Sequence, residues 1–136
     1  MPNNYLGTDT LNHSVHSPRQ SIHELRLIKN EKERNIMQRT CQIGAEAISE
    51  AMRNTKALNS EAQIFARIEY EAKMRDADFL AYPPVVAAGN HANTIHYTLN
   101  SRQQFERKDL ILVDAGSDFG KCLKLDVKQL LSSYIM

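Results

Sequence analysis

The chain has 136 residues, of which 42% are hydrophobic and 24% charged, ordinary proportions for one soluble globular domain. Its 17 basic and 16 acidic residues are mixed along the sequence, so no basic stripe predicts binding to nucleic acid or to an anionic membrane. Apolar runs stay far below the ~20 residues that span a bilayer. Cys41 and Cys122 lack a C-x-x-C partner, which favours a reducing compartment.

Residues 1–24 are rich in Asn, Ser, His and Pro and contain few apolar side chains. Because such a segment cannot offset the entropy lost on ordering, we expect a flexible polar tail or linker. Its histidines, His13, His16 and His23, are better explained as solvated residues than as metal ligands, since no cysteine or acid completes a ligand set. The stretch resembles neither a secretory signal nor a transit peptide, so no targeting segment is expected.

Two helices are predicted next. The first begins at the capping-box pattern of residues 30–33 (NEKE) and carries apolar side chains at helical spacing to about residue 54. The second begins at another capping box, residues 60–63 (SEAQ), and runs to about residue 75. Both apolar stripes are interpreted as core contacts against a sheet.

Strands are predicted in the last third of the chain. Pro83 and Pro84 enforce extended backbone, and residues 85–88 (VVAA) follow as a strand. After a turn at Gly89 and Asn90, residues 94–97 (TIHY) are predicted as a second strand and residues 109–114 (DLILVD) as a buried third one. Two helices followed by antiparallel strands, without βαβ alternation, predict an α+β fold.

Two residues in these strands could carry chemistry. Asp114 ends the buried strand directly before Ala115 and Gly116; this is most often a turn, in which Gly supplies a positive φ. The functional alternative is a carboxylate ligand for Mn²⁺, Mg²⁺ or Zn²⁺ held rigidly by the sheet. His96, expected in mid-strand, is either a hydrogen-bonded structural histidine or a general acid/base or substrate donor. His91 is expected on the surface.

Three segments occur in the order LRLIKNEKERNIMQRTCQIGAEAI, LAYPPVVAAGNHANTIHYT and DLILVDAGSDFGKC. Together they resemble the beginning of the catalytic domain of Xaa-Pro aminopeptidases, in particular the mitochondrial type 3 kind. The resemblance implies a partial pita-bread domain at residues 25–122, between the polar tail and a divergent C-terminal tail at residues 123–136. It also implies two divalent metal ions, typically manganese, and peptide substrates with proline in second position. A homo-oligomer and a mitochondrial or cytoplasmic location are compatible with it.

The family resemblance also assigns roles to individual residues. Five side chains hold the metals in the family, in the order Asp, Asp, His, Glu, Glu; Asp114 matches the first, and His96 matches an upstream histidine that lines the active site. The second aspartate is expected where this chain has Leu125, so Asp126 is one residue late. A one-residue slip turns a strand side chain to the other face unless a bulge restores it.

The sequence contains no match to the remaining three ligands. We therefore expect a portion of a manganese-dependent Xaa-Pro aminopeptidase that is inactive by itself, since few ligands cannot hold two hard cations. One alternative is a non-catalytic truncated isoform or an interaction fragment that binds a full-length subunit, favoured by the leucines of residues 123–131. Another is a different pita-bread role, such as that of a methionine aminopeptidase.

Overall fold

A computed structural model describes residues 17–120, which fall into two units, the first ending at Asn30. In the first unit, α1 (Arg19–Leu27) contains no buried residue. This helix differs from the prediction, in which a flexible polar tail extends to residue 24. The physical reason is local: Arg, Gln, Glu and Leu favour helix, and the Gln20 side chain donates to Glu24 one turn later. The predicted domain boundary near residue 25 stays a prediction.

The second unit contains the two predicted helices, α2 (Glu31–Asn54) and α3 (Glu61–Lys73). The predicted cap of α3 forms in its first half: the Gln63 amide donates to Ser60 Oγ at 3.3 Å. The reciprocal bond differs from a capping box, because Gln63 Oε1 accepts from the amide of Asn59, one residue before the N-cap, at 2.6 Å. The buried face of α2 follows the predicted apolar stripe and consists of Thr40, Ile43, Gly44, Ala47, Ile48 and Ala51.

Four short strands form two antiparallel pairs. β2 (Val85–Ala88) pairs with β3 (Ile111–Asp114), with Val85 opposite Asp114 and Ala88 opposite Ile111. β1 (Phe79–Leu80) pairs with β4 (Ser117–Asp118). The prediction for residues 85–88 is confirmed, whereas the strand expected from residue 109 begins two residues later, and Leu110 is exposed.

Both faces of the β2–β3 pair are covered. One face packs on α2 and α3 in a cluster of Ile48, Ala51, Ile64, Ile68, Val86, Ala88, Ile111, Val113 and Ala115. On the other face Val85 and Ala87 contact Tyr97, with Leu112 half-buried beside them. The sheet therefore holds the end of β3, where Asp114 lies, between two apolar layers.

Residues 94–97 do not form the predicted strand. A 3-10 helix (Gly89–Asn93) follows β2, and residues 94–96 form a bend and a turn in which His96 has a φ of +54°. The residue types favour a strand, but propensity yields to tertiary context. Only Tyr97 of the four is buried, and its hydroxyl binds Glu61 on α3 instead of its backbone joining a ladder.

Helices followed by antiparallel strands make the described unit an α+β domain, as predicted. Across residues 17–120, no helix has the length and apolar content needed to cross a membrane.

Candidate functional site

Asp114 lies at the end of β3 and is half-buried. Its Oδ1 accepts a hydrogen bond of 2.5 Å from the hydroxyl of Tyr82, which lies in the bend between β1 and β2. Burial, together with the hydrogen bond and the negative charge of Asp114, raises the pKa of Tyr82 far above its usual value. Tyr82 therefore remains a protonated donor at neutral pH and orients one oxygen of the carboxylate.

Gly116 permits this contact by its lack of a side chain. A Cβ at Gly116 would lie 3.0 Å from Tyr82 Cε1, closer than side chains ordinarily approach. The positive φ expected for this glycine is wrong, because in the described residues only Gly89 and Gly120 are glycines with positive φ. The Asp-Ala-Gly sequence thus serves the approach of the Tyr82 ring to Asp114.

The described residues supply one hard metal ligand rather than a complete metal centre. Within residues 17–120, Oδ2 of Asp114 receives no hydrogen bond, so a carboxylate oxygen remains available to a cation. The same residues contain no group of three His, Cys, Asp or Glu side chains that could hold a metal ion. Asp126 lies outside the described residues.

His96 is exposed in the turn that follows the 3-10 helix. In the described part of the chain it makes no hydrogen bond to another residue, and none joins it to Asp114. No hydrogen bond within residues 17–120 gives His96 a structural role, and its assignment stays a prediction. An exposed imidazole remains free to donate to or accept from a bound molecule.

Glu61 is the residue of this region that the sequence pattern missed. It is the first residue of α3, and only 2% of its surface is exposed. Oε1 accepts from the Ala88 amide at 2.8 Å and lies 2.7 Å from His91 Nδ1. Oε2 accepts from the Tyr97 hydroxyl at 2.9 Å and from the Ser101 amide at 2.6 Å. Burial raises the pKa of Glu61, but these four hydrogen bonds outweigh it and leave the pKa below its usual value.

His91 is partly exposed, as expected, yet it is tied to this cluster. Its ring stacks on Tyr97 with centroids 4.7 Å apart and an angle of 21° between the planes. Because an ionised carboxylate only accepts, Nδ1 of His91 donates to Glu61.

Tyr97 is affected by the same carboxylate. Burial, and then the hydrogen bond to Glu61, raise the pKa of Tyr97. From the sequence alone, Glu61 looks like an ordinary acidic residue in the first turn of a helix. No residue close to it in the sequence indicates its hydrogen-bond partners.

A second buried carboxylate, Glu71, belongs to the helix pair and not to the candidate site. It forms ion pairs with Arg67 and Arg75, and Arg75 Nε also lies 3.0 Å from Glu46 Oε2 on α2. The hydrogen bond from Arg75 is the main cause that lowers the pKa of Glu71. These contacts give Glu71 a structural explanation.

A cavity of about 780 Å³ lies elsewhere, between the end of α2 and residues 105–111. Arg53, Lys56, Phe105 and Asp109 are among its lining residues. Neither Asp114 nor His96 lines it, so it is separate from the candidate site.

Solved structures identify the fold. The described architecture superposes on the crystal structure of Icp55 from Saccharomyces cerevisiae with a TM-score of 0.68 and 32% identity, covering 74% of this chain and 25% of that chain. The α+β domain therefore corresponds to part of the pita-bread fold of the aminopeptidase P class, as the resemblance implied.

The family follows from the sequence comparison. The model of metallopeptidase family M24 matches residues 35–127, more than half of the chain, and the chain belongs to this family. The match includes Asp126 and overlaps the predicted catalytic domain of residues 25–122, whose bounds stay a prediction. A family of metallopeptidases implies a divalent metal.

Two curated relatives extend the comparison. Xaa-Pro aminopeptidase 3 of Mus musculus is 41% identical over 113 residues, which are 83% of this chain and 22% of that protein. The mitochondrial intermediate cleaving peptidase 55 of Arabidopsis thaliana is 36% identical over 96 residues, 71% of this chain and 19% of that protein. The chain thus spans about a fifth of the length of these relatives.

Proposed function

We propose that the chain is part of a manganese-dependent Xaa-Pro aminopeptidase, a hydrolase that removes an N-terminal residue preceding proline. The observation that carries the proposal is the carboxylate of Asp114, fixed by Tyr82 at the end of a buried strand within the segment matched to family M24. The names of the mouse relative and of other matched proteins support Xaa-Pro peptides as the substrate class.

Three residues receive roles in this proposal. Asp114 is a metal ligand that offers the oxygen not engaged by Tyr82. Asp126 is a second carboxylate ligand, if a bulge brings it into register. His96 contacts the peptide as a hydrogen-bond partner or proton carrier, for which its exposed position is suited. A bound divalent metal would supply Lewis acidity and an activated water.

The 136 residues by themselves are proposed to be inactive, because their described part holds no complete ligand group. The alternative of a non-catalytic isoform or interaction fragment is favoured by one observation: Ile95 and Leu99, on either side of His96, are 85% and 84% exposed. Apolar side chains this exposed suit burial against further polypeptide, whether of the same chain or of a full-length subunit.

The proposal also includes a mitochondrial location. It is supported by the name of the Arabidopsis relative, which places that protein in mitochondria. A homo-oligomer is retained as a proposal from the family resemblance alone.

A chimera tests the proposed activity. Residues 25–122 would replace the matching segment of the yeast Icp55, and hydrolysis of a Gly-Pro-led peptide and of a Met-Ala-led peptide would be measured with Mn²⁺. We expect cleavage of the Gly-Pro-led peptide only. The substitution Asp114→Asn should abolish cleavage and lower bound manganese, measured by elemental analysis, because an amide is a weaker ligand than a carboxylate.

Asp109→Asn is the matched control. Asp109 lies just before the other end of β3, and its Oδ2 accepts from the Glu106 amide, an interaction that the asparagine oxygen can keep. This variant should retain activity and manganese. If Asp114→Asn also retained both, Asp114 would not be a ligand; preferred cleavage of the Met-Ala-led peptide would point to a methionine aminopeptidase.

A further inference from the structure

We infer that Glu61 is a positioning residue, whose buried carboxylate holds the loop of residues 88–101 in the conformation that presents His96. The role of His96 toward a substrate rests on the proposed function. That Glu61 holds the loop does not, and it concerns the described residues alone.

The hydrogen-bond donors to Glu61 bracket the loop. The amides of Ala88 and Ser101 mark its two ends and lie 2.8 Å and 2.6 Å from the carboxylate oxygens. His91 and Tyr97 donate from within it. A single side chain on α3 therefore binds both ends of the loop and two points between them.

Other contacts in the described chain hold the ends of the loop more than its middle: Ala88 pairs with Ile111 in the β2–β3 ladder, and the Ser101 carbonyl accepts from the Ala62 amide at 3.1 Å. Residues 94–100 belong to no helix or strand, so no ladder of backbone hydrogen bonds sets their path. His96 and Asn100 have positive φ values of +54° and +45°, which residues other than glycine adopt only when their surroundings impose it. Asn100 is held by its own side chain, which accepts from the Val86 amide at 3.0 Å. His96 has no such contact and depends on the neighbouring Tyr97.

The negative charge of Glu61 is essential to this arrangement. Each carboxylate oxygen accepts from one backbone amide and one side chain. A glutamine of nearly equal size would place its NH₂ group against the amide of either Ala88 or Ser101, whichever way it turned. A hydroxyl such as that of Tyr97 can rotate to accept instead, but a backbone N–H cannot. Glu61→Gln must therefore leave either the buried amide of Ala88 or the partly buried amide of Ser101 without its acceptor.

The test is an NMR comparison of the 136-residue chain with two variants, Glu61→Gln and Glu71→Gln. Glu71 is also buried and lies on the same helix, but its carboxylate pairs with Arg67 and Arg75 and, among residues 17–120, has no hydrogen bond with the loop. In Glu61→Gln we expect the backbone and imidazole resonances of His96 to shift, and amide exchange at Ala88 or Ser101 to accelerate about tenfold or more. Glu71→Gln should lower the melting temperature without changing either signal while folded.

Two results would overturn the inference. One is unchanged His96 resonances and unchanged amide exchange in folded Glu61→Gln. The other is an equal change in both variants, which would mean that Glu61 serves general stability only. If Glu61→Gln does not fold, Tyr97→Phe replaces it, because it removes one donor and keeps the ring that stacks on His91. His96 signals unmoved in Tyr97→Phe would then overturn the inference.

Failure of the proposed function gives a different result. An inactive chimera with Glu61 intact would contradict the peptidase assignment, while the NMR comparison would still decide whether Glu61 sets the loop.

Discussion

Three partly or fully buried carboxylates differ in how their oxygens are used. Both oxygens of Glu71 face arginines, and both oxygens of Glu61 accept two hydrogen bonds each. Of the three, only Asp114 has an oxygen that accepts no hydrogen bond from the described residues. Its other oxygen accepts from the neutral hydroxyl of Tyr82. A carboxylate that is oriented but not neutralised by a cation is suited to bind a metal ion. The contrast supports Asp114 as the ligand and distinguishes it from Glu61 and Glu71, whose oxygens are already engaged.

Tyrosine ionisation should reveal the Tyr82–Asp114 contact. The pKa of Tyr82 is raised in the folded chain, so above pH ~10 the unfolded chain loses this proton first and stability falls as the pH rises. In Tyr82→Phe this loss should be less steep by up to about 1.4 kcal/mol per pH unit. Chemical unfolding between pH 9 and 11 measures the slope. Tyr70→Phe, at an exposed position, should leave the slope unchanged, and equal slopes in the two variants would contradict the contact.

At the scale of elements, local signals were sufficient for the helices. Their caps and apolar periods lie within a few residues of one another, so the sequence displays them directly. The second capping box does more than start α3, because the helix start is also where Glu61 meets the loop.

Ser60→Ala tests this helix start. The change removes the side-chain acceptor of the Gln63 amide, which keeps the Ser60 carbonyl at 3.1 Å, and should lower the free energy of unfolding by about 0.5–2 kcal/mol. Ser49→Ala is the control: the Ser49 hydroxyl bonds the Ala45 carbonyl inside α2, where alanine is the better helix former. Denaturant unfolding should show no loss for the control, and equal losses would mean that the cap contributes nothing specific.

Packing between the helices and the sheet is tested by Ile64→Ala. Ile64 is fully buried in the cluster shared by α2, α3, β2 and β3, so the cavity should cost about 2–5 kcal/mol. Ile95→Ala removes the same atoms at a site that is 85% exposed and should change stability by less than about 0.5 kcal/mol. Thermal and denaturant melts compare the pair. A small cost at Ile64 would contradict this core arrangement.

For the whole molecule, the question is whether these 136 residues bind a metal. With one secure ligand in the described part, we expect the melting temperature to be the same in chelator and in millimolar Mn²⁺. A metal that binds only the folded state would raise stability by ~2.7 kcal/mol at a hundredfold excess over its Kd. Differential scanning calorimetry measures this directly.

A clear upward shift would mean that Asp114 and Asp126 form a site with other residues of the chain, contradicting an incomplete centre. Asp114→Asn and Asp126→Asn would then show which carboxylate is responsible, since only a ligand's loss removes the shift.

The sequence by itself determined the two helices of the second unit, the strand at residues 85–88, and a buried strand that ends at Asp114, although not where that strand begins. These features depend on period, caps and apolar runs that neighbouring residues share. The resemblance of the three quoted segments added the family, which the comparison confirmed.

Only the tertiary structure decided which partners surround the candidate site. Tyr82 and Asp114 are 32 residues apart, and Glu61 meets Ser101 across 40 residues. No local pattern records such a pair, because the two residues become neighbours only when the helices pack on the sheet. For the same reason residues 94–97, strand-like in composition, form no strand: the carboxylate that binds Tyr97 comes from another element.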